Sequence, residues 1–254
     1  MVWQTVLCAL IGYLVGGINP SYIIGRIRGI DIRKTGSGNA GASNAVIILG
    51  AKAGVFSMIF DIAKAYLVVL MAQKGFPDAA LFAPELAAAC CILGHIFPVL
   101  MRFHGGKGLA CLGGAILRFD WRLFLILLGV EIVILLVSNY LCFVPISASI
   151  IYPIVHGLTG TETGWIGSLF LCAASAGIIY KHAKNIRKIF KGTEMRFSYL
   201  WMSPEKKEKE RERIRKNGGE IKGLPSVEAA GESETELAEE ERSEKAEDKN
   251  GDIS

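Results

Sequence analysis

The chain has 254 residues, of which 51% are hydrophobic, and a formal net charge of +4; its mean hydropathy is +0.38. Charge is segregated: residues 1–180 hold 11 of the 28 Lys+Arg and 7 of the 24 Asp+Glu, and the last 74 hold the rest. That pattern excludes a simple soluble globule, whose charges make up roughly a quarter of its residues and are spread evenly. A balance this small and mixed also gives no argument for nucleic acid.

A membrane-spanning helix needs about 20 mostly apolar residues. The first candidate covers residues 2–25; it lacks a charged leading region and an A-x-A site, so a span is expected rather than a signal peptide. A polar loop follows, with Arg26, Arg28, Arg33 and Lys34 and then Thr35-Gly-Ser-Gly-Asn-Ala-Gly-Ala-Ser-Asn44. Its glycines Gly36, Gly38 and Gly41 let backbone N–H groups approach an anion, and Ser37, Asn39, Ser43 and Asn44 add side-chain donors. A plain interspan loop is the alternative.

The second span covers 51–73 and carries Asp61 and Lys64, three apart; such a pair faces the protein interior as a structural ion pair or a site-lining one. The third covers 84–103 and includes His95, expected as a hydrogen-bonded packing residue. His104-Gly105-Gly106-Lys107-Gly108 then opens a short apolar stretch, 108–117. A glycine turn with a lysine at a helix N-terminus outlines a phosphate cradle, although it is not a Walker A sequence. Ten residues cross a bilayer only if tilted or packed inside protein.

The fifth span covers 121–140 around a lone Glu131, the sixth 141–157 and the seventh 164–180. His182-Ala-Lys-Asn185-Ile-Arg187 follows, placing His182 and Asn185 on one helical face. Histidine there can act as a base or stabilise an oxyanion. Residues 181–197 hold six basic residues and one acid, and Lys181, Lys184, Lys188 and Lys191 share a face suited to anionic headgroups. Residues 205–216 read as a solvated mixed-charge helix, and 217–254, with twelve acids and four basic residues, as disordered. The six cysteines form no CxxC pair and read as buried free thiols, not as a disulfide framework or zinc site.

With seven spans, the basic loops after the first, third and seventh fall on one side. The expected fold is all-α and polytopic, with seven transmembrane helices, one short or tilted, the N-terminus out and the C-terminus cytoplasmic. Six spans, with the fourth re-entrant, is the other possibility.

The three polar clusters, in order, resemble the motifs of the bacterial acyl-phosphate:glycerol-3-phosphate acyltransferase family (PlsY type). Against that family's GSGNxGxxNxxR the chain has GSGNAGASN at 36–44, against its GHxxPxFxxFxGGKG it has GHIFPVLMRFHGGKG at 94–108, and against its HxxNxxRxxxGxE it has HAKNIRKIFKGTE at 182–194. The upstream IDIRKTGSGN at 30–39 and the Asp61–Lys64 pair are also similar to the family.

The resemblance implies a membrane-embedded acyltransferase domain over 1–196 and a charged, largely disordered cytoplasmic tail over 197–254. It implies transfer of a fatty acyl group from acyl phosphate to the 1-hydroxyl of glycerol 3-phosphate, giving lysophosphatidic acid and phosphate for phospholipid synthesis. No metal or other cofactor is implied. Ser37, His182 and Asn185 take catalytic roles by this resemblance. Gly36, Gly38, Asn39, Asn44, Gly105, Gly106, Lys107 and Gly108 bind substrate, and Asp61, Lys64 and Glu194 support or line the site. The implied location is a bacterial cell membrane with the site facing the cytoplasm; membrane lipids surround the body, and the tail can meet a protein partner.

Departures from the pattern include Ile47 for the Arg of the first motif, Cys142 and Pro145 for two serines, Lys181 for Arg and Cys111 for Thr. Either Arg33 or Lys34 compensates for Ile47, or the substrate differs. The departures suggest a divergent member, with another acceptor, or a non-catalytic protein binding lipid precursors, as alternatives.

Overall fold

In a computed structural model the chain is described over residues 2–159 and 162–219. The expected disordered segment lies outside the described residues from position 220 on. The described chain is all-α. α1 (Val2–Gly16) and α2 (Pro20–Ile27) form one apolar segment with a break between them. α3 (Ala42–Leu49), α4 (Ala51–Lys74) and α5 (Ala83–Ile96) follow, and α5 runs through Pro98 into a 3-10 turn, Val99–Met101. α6 (Leu109–Phe119), α7 (Trp121–Ser138), α8 (Phe143–Leu158) and the long α9 (Gly164–Phe190) complete the bundle. A second 3-10 turn, Phe197–Trp201, leads to α10 (Pro204–Lys216).

Among the described residues, five helical segments are long and apolar enough to cross a membrane: Val2–Ile27, Ala51–Lys74, Ala83–Met101, Trp121–Ser138 and Gly164–Phe190. The two remaining apolar segments are the shorter helices α6 and α8. Every expected apolar segment is therefore helical. The seventh runs ten residues further than the apolar run, since amphipathic spacing continues the helix after hydrophobicity ends. α7 buries only Leu127 and Glu131 and presents its other apolar side chains outward, as a lipid-facing helix does. Glu131 turns inward and accepts from Ser147 Oγ of α8 at 2.6 Å.

The helices are held by small residues at their crossings. A Cβ on Gly12 would strike the Ala87 backbone, one on Gly16 that of Cys91, and one on Gly94 that of Tyr13. Small residues four apart on α1 and α5 thus bring two backbones together, the usual way to gain packing where lipid removes the hydrophobic drive. The main core joins α1, α4, α5, α6, α8 and α9 through residues such as Val69, Ile92, Leu112, Tyr152, Leu171 and Ile178. A smaller core of Ile32, Ala40, Ala45, Leu49, Ala53 and Met101 sits under the 30–45 loop.

The break in the first segment has a clear cause. Pro20 starts α2 without an N–H to donate, and Asn19 caps it by accepting from Tyr22 N at 2.8 Å. Carbonyls freed by such a break need donors, because hydrocarbon supplies none. Lys64 of α4 donates to Gly16 O (2.9 Å) and Ile18 O (2.7 Å), and Asp61 Oδ1 balances the ammonium at 2.7 Å.

All six cysteines are free, but not all are buried: Cys90 is half-buried and Cys172, on the outer side of α9, is exposed. The expectation of a solvated helix over 205–216 is met in extent and corrected in setting. Glu210, Arg211 and Ile214 of α10 are buried, because that face packs back onto the chain.

Candidate active site

The three motifs converge at the end of the bundle where α2, α6 and α9 have their polar termini. The first motif is a loop locked from inside. Asn44 is 1% exposed and spends its amide on the loop itself. Its Oδ1 accepts from Ser37 N at 3.0 Å, and its Nδ2 donates to Ile32 O (3.1 Å) and Thr35 O (3.0 Å). Gly36 has φ of +58° and lies so close to Asn44 that a Cβ there would strike its Oδ1. Asn44 thus shapes the loop rather than facing a substrate. Ser37 is exposed at its rim, with Gly38, and Asn39 is half-buried beside them. Asn19 reaches in from the helix break and donates to Ala40 O at 2.7 Å, a contact the sequence did not signal.

Arg33 does not replace the missing arginine. Its Nε and Nη2 bind Asp31 at 2.9 and 2.7 Å, and its Nη1 donates to Met101 O at 3.0 Å. That guanidinium holds the Asp31 carboxyl down to about 2, so the pair stays ionised at neutral pH. Arg33 therefore ties the first loop to the second motif. Ile47 lies on α3 with its side chain partly exposed.

The second motif is a turn folded onto His95. Gly105 N donates to Ile96 O (3.2 Å) and Gly106 N to His95 O (3.0 Å). A Cβ on Gly106 would run into the imidazole. These two N–H groups are thus spent on the turn. The donors that remain for an anion are those of Lys107, Gly108 and the first turn of α6, at a helix N-terminus that favours negative charge. Behind the turn, His95 Nδ1 lies 3.2 Å from Lys64 Nζ and 3.3 Å from Asp61 Oδ1. The Asp61–Lys64 pair thereby supports both the broken helix and the glycine turn.

Asp61, His95 and Cys111 are the described residues whose ligand atoms are grouped closely enough to hold a metal, all within 4.8 Å of one another. The Lys64 ammonium already sits against the same carboxylate oxygen and ring nitrogen, so a cation of the protein's own fills that role.

The third motif meets the second. Lys107 Nζ donates to Asn185 Oδ1 at 2.7 Å, and Asn185 Nδ2 donates to Glu194 Oε1 at 2.6 Å. Lys107 lies below the usual lysine range, first because it is desolvated, with Glu194 pulling the other way. His182 is buried one turn before Asn185, with Nδ1 at 2.8 Å from Ile178 O. A carbonyl only accepts, so Nδ1 carries the proton and Nε2 of the neutral ring is the acceptor. The Lys107 ammonium lies within electrostatic range of that ring. Cys142, at the start of α8, is buried within electrostatic range of both Lys107 and Glu194. Lys181 is half-buried, its ammonium 5.1 Å from the centre of the Phe97 ring, so it is not part of an outward basic face with Lys184, Lys188 and Lys191. Among the described residues no hydrogen bond joins Ser37 to the Lys107–Asn185–Glu194 chain.

A polar, cation-bearing cluster with one neutral imidazole, at the end of an apolar bundle, suits transfer between a lipid-soluble and a phosphorylated partner. The comparisons agree. A family profile described as glycerol-3-phosphate acyltransferase matches residues 6–192. A glycerol-3-phosphate acyltransferase of Clostridioides difficile is 34% identical over 76% of this chain and 95% of its own. That of Geobacillus kaustophilus is 36% identical over 75% and 95%. A crystal structure of PlsY, an integral membrane glycerol 3-phosphate acyltransferase in its glycerol 3-phosphate form, superposes with a TM-score of 0.70 at 30% identity, covering 77% of this chain and 96% of that one. Its lysophosphatidic acid form superposes with a TM-score of 0.66. The chain is a membrane acyltransferase and belongs to the glycerol-3-phosphate acyltransferase family.

Proposed function

We propose that the protein transfers a fatty acyl group from acyl phosphate to the 1-hydroxyl of glycerol 3-phosphate. The observation that carries this reading is the Lys107–Asn185–Glu194 chain, with His182 one turn before Asn185 and its Nδ1 held at Ile178 O, which leaves Nε2 as the acceptor. Lys107 and the N-terminus of α6 take the phosphate of glycerol 3-phosphate. Nε2 of His182 accepts the hydroxyl proton as that oxygen bonds the acyl carbon. The bond from the acyl carbon to the phosphate oxygen breaks, and the imidazolium returns its proton to the departing phosphate. Phosphate departs as an oxyanion whose charge is delocalised over its oxygens, so it is a stable leaving group near neutral pH. Ser37, Gly36, Gly38 and Asn39 face the phosphate of the donor. Asn185 orients Lys107, and Glu194 orients Asn185. No protein nucleophile is needed.

The same reading places seven spans in a bacterial plasma membrane, with the N-terminus outside and the site facing the cytoplasm. The basic loops at 26–34, 102–107 and 181–191 support this orientation. The site's own basic residues lie in those loops, where a soluble phosphorylated substrate arrives.

The test is phosphate release by detergent-purified protein given palmitoyl phosphate, with and without glycerol 3-phosphate. Release should require glycerol 3-phosphate and be lost in Lys107→Ala. Folded, monodisperse protein that releases no phosphate under either condition would overturn the reading.

A further inference from the structure

We propose that Arg213, on the helix α10 beyond the 6–192 reach of the family profile, is a positioning residue for Lys107. It acts through the turn at 192–194, Glu194 and Asn185, and the inference rests on the function proposed above.

The geometry forms one continuous path. Arg213 Nη1 donates to Gly192 O at 2.6 Å, and Nη2 donates to Glu194 O at 2.7 Å. Its other side is fixed by Glu210, which accepts from Nε at 2.9 Å and from Nη2 at 2.6 Å. Glu210 is buried and also accepts from Arg196 N at 3.3 Å. Asn217 adds a bond from Nδ2 to Gly192 O at 3.1 Å. The planar guanidinium therefore bridges two carbonyls of the turn and a carboxylate that is itself held, which suits a rigid fork of donors. Between those carbonyls, the turn is closed by Thr193 N and Glu194 N, both donating to Lys188 O (2.8 and 3.2 Å). The Glu194 side chain leaves this clamped turn to hold Asn185, and Asn185 holds Lys107.

The clamp is anchored at the site's end of the bundle. Phe197 N donates to Asn139 O, and Ser198 N to Asn139 Oδ1, both at 2.8 Å, fixing the chain before α10 to the link between α7 and α8. A lysine at 213 has a single nitrogen and cannot reproduce the four bonds that the guanidinium makes from three spaced nitrogens.

Steady-state kinetics on the purified full chain, with palmitoyl phosphate saturating and glycerol 3-phosphate varied and then the reverse, test this. Arg213→Ala should raise KM for glycerol 3-phosphate by about five- to tenfold, the scale of coupling within one hydrogen-bond network, and leave KM for palmitoyl phosphate within about twofold. Arg213→Lys should fall between that variant and the wild type, and Lys216→Ala, an exposed change on the same helix, should match the wild type. With Glu194→Ala already present, Arg213→Ala should change KM for glycerol 3-phosphate by less than about twofold, because the path is already cut. An unchanged KM, a parallel rise in both KM values, or effects that multiply in the double variant would each overturn the proposal. If the wild type itself shows no release dependent on glycerol 3-phosphate, the proposed function fails instead. Amide exchange then decides the clamp: the N–H groups of Thr193 and Glu194 should exchange at least about tenfold faster in Arg213→Ala than in Lys216→Ala, and equal rates overturn it.

Discussion

Lys107 shows how a single charge is set by its surroundings. Desolvation lowers its affinity for a proton, and Glu194 partly restores it. The ammonium is the form that binds phosphate, so kcat/KM for glycerol 3-phosphate should fall as pH rises through this lowered value, earlier than an ordinary lysine would allow. Asn185→Asp puts a carboxylate where Oδ1 now accepts at 2.7 Å. That change favours the ammonium, so the alkaline limb should move up by about one pH unit. A limb that stays in place would show that another group titrates. Ile47 gives a second prediction at this scale. Arg33 is committed to Asp31 and Met101, so no bidentate cation from that residue meets the donor's phosphate. Ile47→Arg should lower KM for palmitoyl phosphate by at least about fivefold, since a charged hydrogen bond contributes about 1.5–3 kcal/mol. A KM that does not move would mean the loop's own donors suffice. The sequence shows which residue types are present at each of these positions. It does not show their partners, because Lys107 and Asn185 are 78 positions apart.

Among the elements, the broken first helix explains the intramembrane pair. Hydropathy gives one apolar run, and Asn19-Pro20 after two glycines is the local mark of its interruption. Lys64 supplies donors to the carbonyls on either side, and Asp61 neutralises it. Lys64→Met removes both donors and leaves a buried carboxylate without its cation. It should destabilise the detergent-solubilised protein by about 3–5 kcal/mol, measured as loss of the folded fraction in a thermal melt. Asp61→Asn added to Lys64→Met should recover part of the loss, because the unpaired charge is gone. A single variant as stable as the wild type would show that water or lipid headgroups satisfy the break. The same logic divides what was legible here. Apolar length located the five helical segments long enough to cross a membrane and the two shorter apolar helices, and the glycine spacing of 36–41 and 105–108 located both turns. Asn44 is different: it stood among the donors of its motif, yet it is consumed in shaping the loop. Glu85, held by His156 at 3.1 Å and Thr163 at 2.8 Å, joins α5 to α8 and the segment before α9, with no local signal for either partner. Both depend on contacts that only the packed bundle creates. The mixed charge of 205–216 reads as solvated because a run of Glu, Lys and Arg has no apolar stripe. Its burial rests instead on Arg213 donating to the carbonyls of Gly192 and Glu194 and on Glu210 accepting from Arg196 N, contacts between α10 and the turn before it.

For the whole molecule, the short helix α6 decides which way the bundle sits. If α6 crosses with the other six segments, positions 74 and 191 are separated by five crossings and lie on opposite sides. If it re-enters, four crossings separate them and they share a side. The basic loops favour the first arrangement, because it gathers the cations of 26–34, 102–107 and 181–191 on one face. It also places Lys107 and Asn185, which hydrogen-bond to each other, at the same surface. Thiol labelling in intact cells separates the cases. Cys172 is the exposed native cysteine, so Cys172→Ser gives a quiet background, to which Lys74→Cys or Lys191→Cys is added. Both added positions are exposed. A membrane-impermeant maleimide should label the protein carrying Lys74→Cys in intact cells, and the one carrying Lys191→Cys only after the cells are opened. The opposite pattern would invert the orientation and move the site away from its phosphorylated substrate. Labelling of both from outside, or of neither, would make α6 re-entrant and overturn the seven-span arrangement.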